Sequence, residues 1–172
     1  MFPNFEREII HANEVKINLV RGGQGLPVLL LHGYPQTQVI WHKIAPKLAE
    51  EFTVIATDLR GYGDSDKPPT NSDHSTYSKR TMARDQVAVM SQLGYEEFYL
   101  VGHDRGGRVA HRLCLDYPEK VKKLVLLDIA PTYDMYATTD REFATAYYHW
   151  FFLIQPYPLP ETLITANPEY FL

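Results

Sequence analysis

Short, continuously apolar runs recur along the chain, and a polar or flexible residue closely follows each of them. The runs are Val28–Leu31, Val54–Ala56, Phe98–Val101 and Leu124–Leu127. Apolar runs of this length without alternation predict strands that are buried on both faces, as in a parallel sheet. Ahead of them, residues 5–11 and 14–21 predict two short strands joined by a turn at Ala12-Asn13.

Helical patterns separate these strands. Apolar residues recur at helical spacing over residues 40–48, a second helical stretch runs from about Ser78 to Leu93, and a third ends before Pro118. Residues 60–75 are rich in Gly, Asp, Pro and Ser, which predicts a long loop. The alternation of strand and helix predicts an α/β fold with a mostly parallel sheet and helices on both faces.

The alternation ends after Asp128. The sequence Thr139-Asp140-Arg141-Glu142 has the pattern of a capping box and predicts an aromatic-rich helix that continues through Phe152. No further buried strand is predicted over residues 133–172. We therefore expect residues 1–132 to form the N-terminal part of an α/β core and residues 133–172 to begin a helical cap.

Composition and charge narrow the function classes. The chain has 172 residues, 45% of them hydrophobic, and a formal net charge of −4, so it lacks the basic surface that binding to nucleic acid requires. One cysteine, Cys114, excludes an internal disulfide. Without a signal-peptide pattern or a membrane-length apolar run, we expect a cytoplasmic protein with no membrane partner. No Cys/His spacing indicates a metal, and no cofactor is implied.

Four polar residues follow the predicted parallel strands. His32, Asp58, Asp104 and Asp128 fall at the carboxyl ends, where open α/β sheets place their functional groups. This agreement indicates an enzyme. We interpret Asp58 as structural, anchoring the loop that begins at Arg60.

The sequence Gly102-His103-Asp104-Arg105-Gly106 has the spacing of a nucleophile elbow, with Asp104 in the position usually held by serine. An apolar strand precedes it and a helix follows, as the motif requires. Alternatively, Asp104 could simply cap the following helix. That alternative leaves unexplained the three glycines at positions 102, 106 and 107 and the upstream His32-Gly33-Tyr34-Pro35.

Several runs together resemble a known family. The runs His32–Thr37, Asp58–Ser65 and Gly102–Arg108 look like α/β-hydrolase enzymes with aspartate nucleophiles, a group that includes haloalkane dehalogenases and epoxide hydrolases. Arginines one and four residues after Asp104, with the runs Asp128–Tyr133 and Tyr148–Trp150, are similar to haloacetate (fluoroacetate) dehalogenases specifically. The resemblance extends from about Asn18 to Leu172.

The resemblance implies hydrolytic dehalogenation of short 2-haloacids, such as fluoroacetate or chloroacetate, through an ester on Asp104. By the same resemblance, the backbone N–H groups of Tyr34 and Arg105 form the oxyanion hole, and Asp128 orients a catalytic histidine. It also implies a homodimer.

Arg105 and Arg108 lie three residues apart at a helix start and therefore share a face, where two guanidinium groups can hold a substrate carboxylate. Arg108 could instead pair with Asp116 or Glu119 on the surface.

His149 and Trp150 match the halide pocket of the resembled family. Their N–H groups can donate to a departing halide. From the residues alone, they could equally be packing residues of an amphipathic helix.

The family's catalytic histidine lies near the C-terminus after the last strand, and none of the seven histidines here matches it. We therefore expect that residue, and the later strands, to lie beyond Leu172, with the chain belonging to a longer enzyme rather than being a truncated product. Two alternatives stay open. One is an epoxide hydrolase, which would use cap tyrosines such as Tyr147 and Tyr148. The other is a non-catalytic protein of hydrolase fold that binds a carboxylate.

Overall fold

The computed structural model describes residues 2–171 and divides them between two compact units, Met1–Ile129 and Ala130–Leu172. The strands are β1 (Phe5–Ala12), β2 (Val15–Gly22), β3 (Leu26–Leu31), β4 (Phe52–Thr57), β5 (Phe98–His103) and β6 (Val121–Leu127). The helices are α1 (Ala45–Leu48), α2 (Lys79–Gln92), α3 (Arg105–Asp116), α4 (Thr132–Ala137), α5 (Arg141–Ala146), α6 (Tyr148–Phe152), α7 (Leu159–Ala166) and α8 (Pro168–Phe171).

All six strands form one sheet in the order β1-β2-β4-β3-β5-β6. The pairs β3–β4, β3–β5 and β5–β6 are parallel, whereas β1–β2 and β2–β4 are antiparallel. The predicted mostly parallel sheet is therefore confirmed. The predicted turn at Ala12-Asn13 lies one residue further along, since Asn13 and Glu14 adopt φ values of 50° and 69°. Such left-handed pairs suit the twist of a two-residue hairpin.

Alternate residues of the central strands point into two separate cores. Leu29 and Leu31 pack with α2 and α3 on one face, and Val28 and Leu30 pack with Trp41 on the other. All four strand residues are buried, at most 5% exposed, which explains why β3 reads as a continuous apolar run. The sheet thus holds its carboxyl ends rigidly between two packed layers.

Two predicted helices of the first unit formed as expected, and one did not. Helix α2 begins after Ser78, whose side chain accepts the N–H of Thr81, and α3 ends at Asp116, shortly before Pro118. The segment over residues 40–48 is instead a 3₁₀ helix, Gln38–Lys43, followed by the single turn α1. Pro46 stands at the start of α1, where it supplies no backbone N–H to continue the preceding turn.

The second unit is helical where the structure describes it, but the predicted continuous helix through Phe152 is wrong. Asp140, not Thr139, caps α5, and the helix breaks at Tyr147, whose φ and ψ are −114° and 38°. Stacking of Phe143 on Tyr147, with ring centroids 4.8 Å apart, accompanies this break. Over the described part of the chain, no helix is long and apolar enough to cross a membrane.

Candidate active site

The turn between β5 and α3 places a single residue, Asp104, in strained backbone geometry. Its φ and ψ are 48° and −118°, outside the regions that L-residues favour. The surrounding glycines make the turn sterically feasible. A Cβ on Gly102 would lie 2.6 Å from the Gly106 carbonyl oxygen, and a Cβ on Gly106 would lie 2.4 Å from that of Leu31. The glycines of the predicted elbow therefore allow backbone segments to approach closely.

The Asp104 carboxylate faces the loop after β3. The Tyr34 backbone N–H donates to Asp104 Oδ1, with N and O 2.9 Å apart. Gly33 permits this approach, because a Cβ there would lie 2.7 Å from the same oxygen. The Asp104 side chain makes no capping hydrogen bond to α3, which removes the helix-cap alternative.

Arg105 and Arg108 lie in the first turn of α3, and both side chains are partly buried. The Arg105 guanidinium carbon lies 4.9 Å from the centroid of the Tyr34 ring, in cation–π geometry. Of the two alternative partners considered for Arg108, Asp116 accepts hydrogen bonds from Arg80 and Arg112. The backbone N–H of Arg105 lies at the start of a helix, where it has no acceptor within the helix itself.

Asp128 follows β6 directly, with a φ of 53° and an exposed side chain. The Asp104 N–H donates to the carbonyl of Leu127, with N and O 3.1 Å apart, so the two strand ends are joined beside the elbow. Asp128 therefore follows the carboxyl end of β6, as Asp104 follows that of the neighbouring β5. Its role in orienting a histidine stays a prediction.

His32 and Asp58 hold the loops around the site. The His32 ring is fully buried, its Nε2 accepts the N–H of Leu59 and its Nδ1 donates to the Gly33 carbonyl. Burial lowers the pKa of His32, so the ring is neutral and structural. The Asp58 carboxylate accepts N–H groups from Gln38 and Asp64, as expected for an anchor of the loop after β4.

His103, the other histidine beside the elbow, has a similarly local contact. Its Nδ1 lies 3.1 Å from Oε1 of Gln36, whose Oε1 also accepts the Gly33 N–H. This pairing ties β5 to the loop that carries Tyr34. His103 therefore helps to hold the geometry of that loop.

A cavity of about 360 Å³ opens beside the elbow, and the sequence analysis did not identify one of its charged lining residues, Lys79. Tyr34, Arg105 and Lys79 are among the residues that line it. Burial, followed by the charges of Arg105 and Arg108, lowers the pKa of Lys79 from 10.5 to about 8. A signal was present in the sequence, since a lysine as the first residue of a helix opposes the helix dipole.

His149 and Trp150 both belong to α6, in the second unit. Trp150 is buried there, its ring 5.6 Å from that of Tyr136 and 6.3 Å from that of Phe143. The His149 ring lies 6.1 Å from that of Tyr147. These contacts agree with the packing alternative, and a halide pocket at these residues stays a prediction.

The chain matches known proteins over most of its length. The family model described as alpha/beta hydrolase fold matches residues 27–166. A fluoroacetate dehalogenase from Burkholderia sp is 53% identical over 99% of this chain, and a soluble epoxide hydrolase from Corynebacterium sp. (strain C12) is 46% identical over 72% of it. The resemblance to haloacetate dehalogenases is thereby confirmed.

Solved structures also match the fold of this chain. A crystal structure of an alpha/beta hydrolase from Nostoc sp PCC 7120 superposes with a TM-score of 0.98 at 72% identity and covers all of this chain. The chain spans 59% of that protein, 56% of the Burkholderia relative and 43% of the Corynebacterium relative. It thus corresponds to about half the length of the proteins it matches.

Proposed function

Because the chain belongs to the family of the alpha/beta hydrolase fold, we propose that it carries the nucleophile and acid-binding residues of a haloacetate dehalogenase. The main support for the proposal is the geometry of the Asp104 carboxylate. The carboxylate stands on a strained elbow, does not cap its helix and accepts the Tyr34 N–H instead. A carboxylate that is held in place and whose oxygen remains free to attack a substrate suits a covalent nucleophile.

In the first step, an oxygen of Asp104 attacks the carbon that bears the halogen. A carbon–oxygen bond forms, the carbon–halogen bond breaks, and halide leaves with the bonding electron pair. Asp104 is then an ester of the 2-hydroxy acid. The attacking oxygen must lie on the side of the carbon opposite the departing halide, which demands a fixed orientation of the substrate.

Arg105 and Arg108 are proposed to supply that orientation by holding the substrate carboxylate. A guanidinium group binds a carboxylate through two parallel hydrogen bonds and so fixes both position and angle. Arg105 is already held over the Tyr34 ring. This pair distinguishes a haloacid from a neutral haloalkane.

In the second step, water attacks the carbonyl carbon of the Asp104 ester. The developing oxyanion is proposed to accept from the backbone N–H of Tyr34, which already donates to Asp104 Oδ1, and from that of Arg105 at the start of α3. One such donor contributes about 2.7–4 kcal/mol in a comparable site. A general base must accept the proton from water, and Asp128 is proposed to orient it. Release of the hydroxy acid returns Asp104 to its carboxylate form.

His149 and Trp150 are proposed to donate to the departing halide, as in the resembled family. The proposal also retains a cytoplasmic location and a homodimer, both predicted from the sequence. No organic cofactor or metal takes part in the two steps as proposed.

The first test follows halide release from chloroacetate and fluoroacetate to its stoichiometry. We expect at least one halide per chain, with the added carboxymethyl group mapped to Asp104 by mass spectrometry. The D104N variant is expected to release none, while folding unchanged. Halide release by D104N at the wild-type rate, or a carboxymethyl group on another residue, would contradict the proposal.

An epoxide hydrolase is the second candidate, favoured by the 46% identity to the Corynebacterium relative. That chemistry also uses a carboxylate nucleophile, but it has no need of paired arginines. A small epoxide and chloroacetate offered side by side separate the two, and faster epoxide opening would reverse the ranking. If D104N left ligand binding unchanged and no substrate were ever altered, a non-catalytic carboxylate-binding protein would be the better account.

A further inference from the structure

Lys79 stands at an unfavourable position for a lysine in three respects. It is partly buried, it is the first residue of α2, and it experiences the charges of Arg105 and Arg108. Burial penalises the charged ammonium, and the positive end of the helix dipole and two like charges penalise it further. No acidic residue in the first turn of α2 offsets these penalties.

The hydrogen bonds of Lys79 do not explain its position. Within residues 2–171, its Nζ donates to Sδ of Met82 at 3.6 Å, and a thioether is a weak acceptor. Lys67 lines the same cavity, but its Nζ donates to the carbonyls of Gly63 and Ser65 at 2.7 and 3.0 Å. The ammonium of Lys67 is therefore satisfied by the protein, whereas that of Lys79 retains most of its donor capacity.

The cavity has the character of an anion site. Lys79 and Arg105 line it, Arg108 adds its charge to the same region, and Asp104 is the carboxylate that acts on Lys79. Lys79, Arg105 and Arg108 outnumber the Asp104 carboxylate, and Lys67 on the same lining adds a further positive charge. The partly desolvated space therefore has a positive excess, and charges interact there more strongly than in water. A small anion entering the cavity would relieve that excess.

The geometry points to Lys79 as a third residue that recognises the substrate carboxylate and selects for negatively charged substrates. An ammonium on a flexible stem attracts an anion from many directions, whereas the two arginines fix its final orientation. Lys79 therefore captures the acid in the cavity, and Arg105 and Arg108 receive it beside Asp104. This inference rests on the proposed function, because it names a determinant of the substrate class at the same site.

The test compares K79M, which keeps the length of the side chain without its charge, with K67M as a control in the same cavity. The probes are chloroacetate and the neutral chloroacetamide, which share a leaving group. The measured quantity is the second-order rate constant for formation of the ester on Asp104. K79M is expected to lower this constant about tenfold for chloroacetate and to leave it nearly unchanged for chloroacetamide. K67M should lower the constant for chloroacetate far less than K79M does, because two backbone carbonyls hold its ammonium, and K79R should restore most of the loss.

If K79M lowers the rate constant equally for both probes, Lys79 acts only on structure and the inference is overturned. A loss in K67M as large as that in K79M would overturn it as well. Glycolate binding, measured by calorimetry in parallel, keeps the result independent of the covalent step. If wild type forms no ester, the proposed function fails, but an approximately tenfold weaker glycolate affinity in K79M would still support the inference. Equal glycolate affinity in wild type and K79M would refute it. Unfolding by denaturant checks that K79M is folded, and it should be at least as stable as wild type.

Discussion

At the scale of single residues, Gly33 determines whether the Asp104 carboxylate can reach the Tyr34 N–H. The φ of Gly33 lies outside the left-handed range of +20° to +160°, so a left-handed backbone is not the reason for glycine at this position. A Cβ at this position would nevertheless lie 2.6 Å from Cβ of Asp104 and 2.7 Å from its Oδ1. The close contact alone makes glycine necessary.

The G33A variant should therefore lose ester formation on Asp104 by on the order of 10²-fold, because the displaced carboxylate no longer lies in line with the carbon that it attacks. Halide release in the first turnover measures this loss. A matched control is G94A, where φ is 84° and no atom lies within 4 Å of the added Cβ. That change should lower stability through backbone strain and leave halide release unchanged. Equal activity of G33A and wild type would contradict the placement of the carboxylate.

The lowered pKa of Lys79 predicts how the binding of an anion depends on pH. The ammonium is charged below about pH 8 and neutral above it, so glycolate affinity should fall as pH rises through that value. Guanidinium groups in proteins do not titrate in this range. Burial raises the pKa of Tyr62 and of Tyr77, which line the same cavity, and so moves them away from this range.

Calorimetric titration between about pH 6.5 and pH 9.5 measures this profile. Two variants supply the controls. The decline should be absent in K79M, which has no ammonium, and in K79R, whose guanidinium stays charged. A decline of the same size in K79M would assign the titration to another group.

At the scale of elements, helix α2 is joined to the rest of the first unit by a buried ion pair. The Arg60 guanidinium donates from Nε and Nη2 to the two oxygens of Asp85, each at 2.7 Å, and the side chains are 6% and 0% exposed. Asn13 donates to the same carboxylate at 2.9 Å. Burial raises the pKa of Asp85, with the Arg60 and Asn13 contacts opposing it. The pair therefore connects α2, the β1–β2 turn and the loop after β4.

Removing one partner leaves the other charge buried without compensation. D85N is therefore expected to lower the free energy of unfolding by about 3 kcal/mol, measured by urea denaturation. The exposed pair of Arg7 and Asp64, with side chains 58% and 69% exposed, provides the control. D64N should change stability by less than about 0.5 kcal/mol. Equal effects of the two variants would show that the Arg60–Asp85 pair does not link the elements.

Sequence patterns predict most elements of this fold but only part of the site. Continuous apolar runs identified every parallel strand, and for β3 and β4 the reason is burial on both faces, which leaves no room for polar residues. The run Leu124–Leu127 is a strand as predicted but not a buried one, because β6 lies at the edge of the sheet. The elbow was predictable because its glycines follow from steric contact. Lys79 was missed because its importance arises from its proximity in space to Arg105 and Arg108. No recognisable motif surrounds Lys79 in the sequence itself. The break at Tyr147 was missed because the capping box predicts where a helix begins, not where aromatic packing interrupts it.

At the scale of the whole molecule, β6 forms one edge of the sheet. Its last three residues, Val125, Leu126 and Leu127, are 48%, 37% and 39% exposed. Among the described residues, β6 pairs with β5 alone, so the backbone groups on its other side can pair with a further strand. An apolar edge strand of this kind can pair with a further strand of a longer protein or, where no such strand covers it, with a second copy of this chain.

Where no further strand covers this edge, the 172-residue chain is expected to self-associate with rising concentration, as measured by light scattering, and L126K should reduce that association. A lysine on an edge strand opposes pairing by charge repulsion and by the cost of desolvating its ammonium. L115K is the matched control, because Leu115 is 60% exposed but lies on α3 rather than on an edge. If pairing of strand edges causes association, L126K lowers it several-fold more than L115K does. Equal reductions would mean that general surface hydrophobicity is responsible, and the open edge of β6 would then have no special part in it.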